Sequence, residues 1–466
     1  MTDIDVPITE MCDAYKETHW MQDPDKTTRK FYYLEARNSE NTHYDKVVFF
    51  GLQYMIKKYL TGKVVTNEML DESIKECEEV FGFKYFNEDG WRYIADKLGG
   101  KLPLEIRAIP EGTPVPIKNV LMTVTNTDPK CAFLPGFMES YLEQVWYPTT
   151  VCTKSWYVKK DLKGYASKAG ETVSIVHLND FGMRGSTTLE SAAVGGVAHL
   201  VNFMGSDTMP AKRIAKKYYA ATEPILLSVY AAEHSTVTVY GESDEINAYR
   251  EILRRAPSEA IVSMVIDSYD AIRAVDKYIG VEMKDQILSR TGKVVMRPDS
   301  GDPKWMVIQI LNSLWDNFGG TINANGYKVL DPHVGVIYGD FISPKMIHDM
   351  MNEIVIKNRF APSNVVFGMG GELLQKCNRD TFSFAYKCSA IEIDGKWIDV
   401  YKRPVSDARK ESKRGILALI KEGETYRTVQ EKELSNKNNN LLKVIYRNGD
   451  LIKDFTFDEV KANAVI

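Results

Sequence analysis

The sequence lacks paired cysteines, long apolar stretches and a strong net charge, and each absence excludes a class of protein. Its six cysteines are scattered over 466 residues without a CxxC pair, which argues against a disulfide framework or a zinc site. No apolar run approaches the ~20 residues that cross a bilayer. The acidic N-terminus MTDIDVPITEMCDAYK lacks the basic and apolar regions of a signal peptide. We therefore expect a cytoplasmic protein with reduced thiols and no membrane partner.

The charges nearly balance, with 59 basic and 63 acidic side chains and a net charge of -4. This balance argues against non-specific binding to nucleic acid, although it is compatible with a local basic pocket. Hydrophobic residues make up 44% and charged residues 26% of the chain, as in ordinary globular proteins. The length allows two to four domains of about 100–200 residues each.

The residue pattern changes at about positions 165 and 385, which predicts three regions. Residues 1–165 mix helical periodicity with short β-branched segments and are expected to form an α+β region. Residues 166–384 alternate strand and helix signals, which predicts an irregular α/β barrel that carries the active site. Residues 385–466 are basic and β-rich, with a hairpin signal at Asn448-Gly449. We expect this last region to pack with the N-terminal one as a flanking α+β domain.

The barrel prediction rests on short apolar segments, each followed by a polar cluster and a helical stretch. Strands that alternate with helices form parallel βα units, and we favour a barrel over a large open sheet. Helix starts are predicted by a capping box at Thr187-x-x-Glu190 and by Asp302-Pro303. The seven strand candidates are Thr172–Leu178, Leu200–Phe203, Ile225–Val229, Ala260–Ile266, Lys293–Arg297, Val334–Tyr338 and Asn364–Phe367.

Acids, arginines, one histidine and glycine-rich turns follow these strands, where parallel α/β folds place their sites. Such an inventory predicts a phosphorylated, hydroxylated ligand, although glycines and aspartates also end strands and cap helices for purely structural reasons. The candidates are Gly370 and Gly371 for a phosphate at a helix N-terminus, Asp299 or Asp340 for sugar hydroxyls, and Arg184, Arg297 and Arg379 for diphosphate oxygens.

Four long segments, in this order, resemble the nicotinamide phosphoribosyltransferase family of type II phosphoribosyltransferases. They are HLNDFGMRGSTTLESAAVGGVAHLVNFMGSDT, YAAEHSTVTVYG, RPDSGDP and FGMGGELLQKCNRD, and the likeness extends over essentially the whole chain. The resemblance implies transfer of a phosphoribosyl group from phosphoribosyl diphosphate to nicotinamide, which yields nicotinamide mononucleotide and diphosphate for NAD salvage. It also implies a head-to-tail homodimer with active sites at the interface.

The resemblance assigns a role to each matching position. Nicotinamide would stack between Phe181 and Tyr15 of the partner subunit, with its amide at Asp207 and Ser263 nearby. Arg297 would lie between the amide and the diphosphate, Asp299 at the ribose hydroxyls, and His234, Asp299 and Arg297 at the reacting groups. The ribose 5-phosphate would bind at Gly339, Asp340, Gly370 and Gly371. The diphosphate would meet Arg184 and Arg379, with contributions from Lys387, Lys402, Lys410 and Arg37.

Two cofactors follow from the same resemblance. Mg²⁺ would accompany the diphosphate and be coordinated mainly by it, because the sequence contains no protein metal cage. ATP would act as a coupling nucleotide by phosphorylating His234, since a neutral imidazole is a competent nucleophile. A lone histidine after a strand is more often structural, and the other six histidines, including His199 on an apolar helix face, are interpreted in that way.

Three other interpretations remain open from the sequence. A nicotinate phosphoribosyltransferase would share the fold and donor, but the Asp207 carboxylate would repel nicotinate, which favours nicotinamide. A ligand-binding protein on the same scaffold would have little reason to keep the diphosphate cations. An unrelated sugar-phosphate isomerase or aldolase would need a catalytic lysine or glutamate at a strand end. The chain also departs from the family at Gly335, where relatives carry arginine, and at Glu372, an acid beside the phosphate turn.

Overall fold

The computed structural model describes residues 6–39, 44–405 and 411–466, and it divides the chain into two compact units. One consists of Met1–Thr153, Ala215–Ala221 and Cys377–Val465, and is called the flanking unit below. The other consists of Lys154–Ile214, Thr222–Lys376 and Ile466, and is called the barrel unit. The sequence-based boundaries were 165/166 and 384/385, which lie within a dozen residues of the main divisions.

The described residues form twenty strands and sixteen α-helices. The strands, in chain order, are β1 Thr27–Ala36, β2 Lys46–Val48, β3 Leu104–Ala108, β4 Pro114–Pro116, β5 Val120–Asn126, β6 Leu178–Asp180, β7 Gly205–Ser206, β8 Tyr230–Ala231, β9 Val262–Val265, β10 Val294–Arg297, β11 Gly320–Ile322, β12 Lys328–Leu330, β13 Val334–Tyr338, β14 Val365–Met369, β15 Phe384–Ile393, β16 Lys396–Asp399, β17 Leu417–Glu422, β18 Thr425–Gln430, β19 Lys443–Arg447 and β20 Asp450–Leu451.

The helices, in chain order, are α1 Leu52–Tyr59, α2 Asn67–Phe81, α3 Glu88–Lys97, α4 Leu134–Phe137, α5 Glu139–Leu142, α6 Trp146–Ala169, α7 Leu189–Leu200, α8 Met209–Tyr219, α9 His234–Thr238, α10 Glu245–Arg255, α11 Ala271–Arg273, α12 Lys284–Leu288, α13 Pro303–Phe318, α14 Pro344–Met351, α15 Gly371–Leu374 and α16 Phe457–Asn463. Two π-helical segments, Ala274–Glu282 and Asn352–Lys357, follow α11 and α14. None of the helices in the described part of the chain is long and apolar enough to cross a membrane.

Seven parallel strands form the sheet of the barrel unit, in the order β7-β6-β14-β13-β10-β9-β8. In the central strands the side chains are buried on both faces, as at the consecutive residues Met264 and Val265 of β9, which is typical of parallel sheets covered by helices. A further parallel bridge joins Gly205 of β7 to Leu227, three residues before β8. Residues 227–231 thereby connect the two edges, and the sheet closes into the irregular α/β barrel that the sequence predicted.

Three strand predictions were wrong in position. Thr172–Leu178 shares only its last residue with β6, which is Leu178–Asp180. Leu200–Phe203, predicted as a strand, is the last residue of α7 and the turn after it, and the strand is β7. Ile225–Val229 precedes the true strand β8. Leu200 and Phe203 are both buried, so the apolar end of a buried helix had the composition of a strand.

The capping box that starts α7 lies one residue later than predicted. Thr188 Oγ1 accepts a hydrogen bond from the Ser191 N–H (3.0 Å), and Ser191 Oγ accepts one from the Thr188 N–H (3.0 Å). The predicted partners, Thr187 and Glu190, do not form the box. The prediction for α13 is confirmed, because Asp302 Oδ1 accepts a hydrogen bond from the Trp305 N–H at 2.8 Å.

The flanking unit contains a seven-stranded sheet in the order β16-β15-β1-β5-β3-β19-β20. Strands from the two ends of the chain pair within it, as at Tyr33 and Lys387 of β1 and β15. The expected α+β unit built from the N- and C-terminal parts is therefore confirmed. Its β19-β20 hairpin turns at Asn448 and Gly449, whose φ angles of 52° and 88° are those of a two-residue hairpin turn.

Candidate active site

A cavity of about 1080 Å³ lies at the carboxyl ends of the barrel strands. Its wall is formed by residues that follow β6, β7, β8, β10, β13 and β14, where parallel sheets place their ligands. The barrel thus brings together side chains that are separated by up to 195 residues in the sequence, from Phe181 to Lys376. Ten predicted site residues line this cavity, namely Phe181, Arg184, Asp207, His234, Arg297, Asp299, Gly339, Asp340, Gly370 and Gly371.

The Phe181 ring lies against two glycines at the ends of β13 and β14, Gly339 and Gly368, which we call the glycine floor. A Cβ atom added to Gly368 would come within 2.1 Å of Phe181 Cε2, and one added to Gly339 within 3.4 Å. The Phe181 N–H donates to the Met369 carbonyl at 3.0 Å, which fixes the backbone beneath the ring. The Phe181 ring lies so close to Gly368 that no side chain would fit between them. The glycine floor therefore sets how deep the ring lies in the cavity.

Asp207 follows β7 on another wall of the cavity, and its side chain is exposed. The Ser228 hydroxyl donates a short hydrogen bond to Asp207 Oδ1. A carboxylate has about four acceptor positions, so one hydroxyl leaves Asp207 able to accept further N–H groups. An aromatic ring and a hydrogen-bond acceptor that line one cavity are what an aromatic amide requires.

Ser263, predicted near the amide, lies within β9 and is not among the residues that line the cavity. Its side chain is 3% exposed, and within the described residues its Oγ has no hydrogen-bond partner. Its role in ligand binding stays a prediction.

His234 begins α9 and faces a group of carboxylates. Its Nε2 lies 3.6 Å from Asp299 Oδ2 and 3.8 Å from Asp267 Oδ1, and its Nδ1 lies 3.2 Å from Ser268 Oγ. With a side chain that is 46% exposed, the imidazole is reachable from the cavity and oriented by its neighbours. The arrangement provides a nucleophile or a proton carrier beside these carboxylates.

Asp267 joins these acids through the backbone, because its Oδ2 accepts the Asp299 N–H at 2.8 Å. Burial raises the pKa of Asp299. The positive charge of Arg297 partly offsets this rise, and the negative charge of Asp267 adds to it. Burial and the neighbouring Asp267 also raise the pKa of Asp340. These three carboxylates therefore concentrate negative potential at the ends of β9, β10 and β13.

Arg297 is the cation nearest to these acids, with its Nε 3.4 Å from Asp299 Oδ2 and a side chain that is 17% exposed. Arg184, by contrast, is exposed on the short turn after Phe181. Both line the cavity, so positive charge stands beside the carboxylate group. In the described part of the chain, no three His, Cys, Asp or Glu side chains are arranged to hold a metal ion.

The glycine pair Gly370-Gly371 leads into the four-residue helix α15. Glu372, the acid that departs from the family pattern, pairs with Lys376 Nζ at 2.9 Å and lies 4.0 Å from Lys154 Nζ. Lys154 also donates to the backbone carbonyls of Glu372 and Lys376. The two lysines compensate the Glu372 charge, so this turn is not made anionic by it.

Five other predicted residues belong to the flanking unit. Tyr15 is 55% exposed, Arg37 pairs with Glu35, Arg379 pairs with Asp380, Lys387 lies 3.6 Å from Glu139, and Lys402 is exposed. Lys410 lies outside the described residues. The roles of these six residues in binding stay predictions.

Comparison with known proteins decides the family. The profile of the nicotinate phosphoribosyltransferase (NAPRTase) family matches residues 176–450, which is more than half of the chain. The chain belongs to the nicotinate phosphoribosyltransferase family. The profile of the nicotinamide phosphoribosyltransferase N-terminal domain matches residues 8–106. The resemblance found in the motifs is confirmed, and the protein is a phosphoribosyltransferase.

Relatives and solved structures agree with this family. The nicotinamide phosphoribosyltransferase of Xanthomonas campestris pv. campestris is 43% identical over 461 residues, 97% of each chain. That of Acinetobacter baylyi is 31% identical and covers 96% of this chain and 95% of its own. The nicotinate-nucleotide pyrophosphorylase of Pyrococcus furiosus superposes with a TM-score of 0.63 at 15% identity, covering 100% of this chain and 97% of its own. Human nicotinic acid phosphoribosyltransferase superposes with a TM-score of 0.55 at 13% identity, covering 97% of this chain and 92% of its own. Both solved structures show the same fold as this chain.

Sequence reasoning missed several residues at this family site. Ser228 contacts Asp207, and no motif marked it. Asp267 accepts the Asp299 N–H; it stands in a polar cluster that follows a predicted strand, but the sequence assigned no role to it. Phe341 lines the cavity beside Asp340, is 87% exposed and has a φ of 49°, a conformation uncommon for a bulky residue. Its position directly after Asp340 was the available signal.

Proposed function

We propose that this family member transfers the phosphoribosyl group of phosphoribosyl diphosphate to nicotinamide, for NAD biosynthesis in the cytoplasm. The observation that carries the proposal is that one cavity is lined both by Phe181, seated on the glycine floor, and by Asp207, held by Ser228. The ring would stack on Phe181 while its carboxamide N–H donates to Asp207. Relatives named nicotinamide phosphoribosyltransferase that cover nearly the whole chain support the same substrate.

The reaction breaks the bond from ribose C1 to the diphosphate oxygen and forms a bond from C1 to the pyridine nitrogen. That nitrogen already carries a lone pair, so no general base is required to activate it. As the first bond breaks, positive charge develops on the ribose, and the carboxylates of Asp299 and Asp340, which line the cavity, would stabilise it. Arg184 and Arg297 would hold the departing diphosphate through charge-assisted hydrogen bonds.

Mg²⁺ fits this site as a companion of the diphosphate. The cavity offers hard oxygen donors at Asp299 and Asp340, and the buried Oδ1 of Asp267 has no hydrogen-bond partner within the described residues, whereas Mg²⁺ prefers carboxylate and phosphate oxygens. When bound, the ion would neutralise charge on the leaving diphosphate. The protein residues would orient the sugar and hold the acceptor ring against it.

Acceptor choice tests the proposal directly. With phosphoribosyl diphosphate and Mg²⁺ present, mononucleotide formation should be faster from nicotinamide than from nicotinate, because Asp207 repels a second carboxylate. Asp207→Asn should remove most of that preference. Equal rates with the two acceptors in the wild type would contradict the assignment, as would an Asp207→Asn variant with unchanged preference. Absence of diphosphate release would instead favour a binding protein on this scaffold.

We also propose that ATP stimulates the reaction by phosphorylating His234. The imidazole nitrogen would form a bond to the γ-phosphorus as the bond to the ADP oxygen breaks and ADP leaves. The exposure of His234 and its position among Asp267, Asp299 and Ser268 support this role. The added negative charge would favour binding of the Mg²⁺-diphosphate product and so mononucleotide formation.

Mass spectrometry under conditions that preserve acid-labile phosphate tests this second proposal. After incubation with ATP, a peptide that contains His234 should carry one phosphate, and His234→Asn should abolish both the modification and the ATP stimulation. A phosphate on a different peptide, or stimulation that survives in His234→Asn, would contradict it.

We propose further that the enzyme is a homodimer whose sites are shared. In that assembly Tyr15 of the partner subunit would cover the ring, and the basic residues of the flanking unit, Arg37, Arg379, Lys387, Lys402 and Lys410, would reach the diphosphate. The exposure of Tyr15 supports this arrangement. A Tyr15→Ala chain mixed with an Arg184→Ala chain should recover activity, because one site of the mixed dimer would combine the intact Arg184 of the first chain with the intact Tyr15 of the second. No recovery would contradict shared sites.

A further inference from the structure

A buried polar cluster lies behind the wall that holds the proposed acceptor ring. Its members are Asp180 at the end of β6, His199 on α7, Ser206 of β7 and Ser155 of α6, and each is 0% exposed. None of them lines the cavity. Burying a carboxylate is unfavourable unless hydrogen bonds compensate it, so the contacts of Asp180 indicate what the cluster does.

Asp180 holds both segments that carry the proposed ring contacts. Its Oδ1 accepts the Gly182 N–H at 2.8 Å, which fixes the turn immediately after Phe181. Its Oδ2 accepts the Ser206 hydroxyl at 3.4 Å, and its backbone carbonyl accepts the Asp207 N–H at 2.9 Å. One residue therefore connects the backbone of the stacking ring to the backbone of the amide acceptor.

His199 holds the second of these segments from the other side. Its Nε2 lies 3.0 Å from the Gly205 carbonyl, which only accepts, so Nε2 carries the hydrogen and donates. Its Nδ1 lies 2.9 Å from Ser155 Oγ. Burial lowers the pKa of His199, an effect that the neighbouring Asp180 opposes. The turn from Gly205 to Asp207 is thus fixed by two buried side chains.

We propose that Asp180 and His199 are positioning residues that set the spacing between the Phe181 ring and the Asp207 carboxylate, and thereby select a planar aromatic amide as acceptor. This inference rests on the proposed function, because it assumes that Phe181 and Asp207 bind the acceptor. Neither residue touches the ligand. The pair acts by holding two separate strand ends in one geometry, so a change in it alters acceptor binding before it alters the phosphoribosyl donor.

Asp180→Asn is the least disruptive test. The amide oxygen can still accept the Gly182 N–H, but the NH₂ group cannot accept the Ser206 hydroxyl. We expect KM for nicotinamide to rise about tenfold, the scale on which a lost charge-assisted hydrogen bond acts. KM for phosphoribosyl diphosphate and kcat should stay within about twofold, and the preference for nicotinamide over nicotinate should fall. His199→Leu, which loses the bond to Gly205, should shift the same parameters in the same direction.

Glu245→Gln provides the matched control, because Glu245 is also a fully buried carboxylate of the barrel unit, hydrogen-bonded to Tyr249 at 2.9 Å. It should alter thermal stability without a selective change in KM for nicotinamide. In a double-mutant cycle, the effect of Asp180→Asn on KM for nicotinamide should shrink in an Asp207→Asn background, since the first residue acts through the second.

The outcomes separate the inference from the proposed function. A wild-type enzyme that does not use nicotinamide would contradict the proposed function itself. An active wild type whose Asp180→Asn variant keeps its KM for nicotinamide would overturn the inference alone. Equal changes in both KM values, or full additivity with Asp207→Asn, would also overturn it, because they would indicate a general structural role. An Asp180→Asn chain that does not fold would leave His199→Leu to decide by the same criteria.

Discussion

Substitution of Gly368 by alanine tests the glycine floor beneath Phe181. The new Cβ would lie 2.1 Å from Phe181 Cε2 and 2.3 Å from Cδ2, whereas ordinary contact begins at 3.4 Å, so the ring must move by about 1.3 Å. Overpacking of this kind costs about 1–3 kcal/mol. If that cost falls on acceptor binding, KM for nicotinamide rises roughly 5- to 150-fold. KM for phosphoribosyl diphosphate should change much less.

Steady-state kinetics with each substrate varied in turn would measure this effect. Gly164→Ala is the matched control, because Gly164 lies within α6 and a Cβ there would meet nothing within 4 Å. It should leave both KM values unchanged and stabilise the helix by roughly 0.5–1 kcal/mol. A Gly368→Ala enzyme with a KM for nicotinamide within twofold of wild type would refute the reasoning, as would a change confined to the donor.

Three further predictions concern ionisable groups that are buried or half-buried. Asp299→Asn should abolish turnover yet raise the Tm of the ligand-free protein at pH 7. Burial raises the pKa of Asp299, so its ionised form, which is present at pH 7, destabilises the fold. An unchanged or lower Tm would contradict this. Burial lowers the pKa of His177 to about 4, so stability should fall by about 3 kcal/mol as the pH drops from about 6.5 to 4. Urea unfolding should show this slope in the wild type and its loss in His177→Leu. Lys154→Met leaves the carbonyls of Glu372 and Lys376 without the ammonium group that donates to them. It should raise KM for phosphoribosyl diphosphate about tenfold. An unchanged KM would show that this turn does not take part in binding phosphoribosyl diphosphate.

The sequence was sufficient for the fold class and for most of the cavity wall, because both depend on local patterns. Parallel strands end at one edge of a sheet, so residues after each strand were expected to converge. Asp207, His234, Asp299 and Asp340 do line one cavity. That convergence needed only approximate strand positions, which explains why the misplaced strand at Leu200–Phe203 did not disturb it.

What the sequence could not give are contacts that depend on three-dimensional approach. Ser228 reaches Asp207 across two segments of the barrel, and its own neighbours in the sequence are apolar. Lys154 compensates Glu372 from 218 residues away, so the acid seemed unfavourable for phosphate when only the chain order was known. Buried Asp180 adjoins Phe181 in the motif, yet its link to Ser206 becomes evident only from the strand pairing.

The strand order of the barrel has a consequence for how such enzymes change their substrates. The proposed ring contacts follow β6 and β7, which are neighbours in the barrel, whereas the carboxylates follow β9, β10 and β13. The proposed acceptor contacts and the carboxylates proposed to face the ribose therefore belong to separate groups of neighbouring strands, while Arg184, proposed for the diphosphate, shares the segment after β6 with Phe181. Substitutions at Phe181 and Asp207 alone would change the acceptor contacts while Arg184 and the carboxylates stay in place. In that sense the barrel is modular, and its acceptor half is the part open to evolutionary or laboratory redesign.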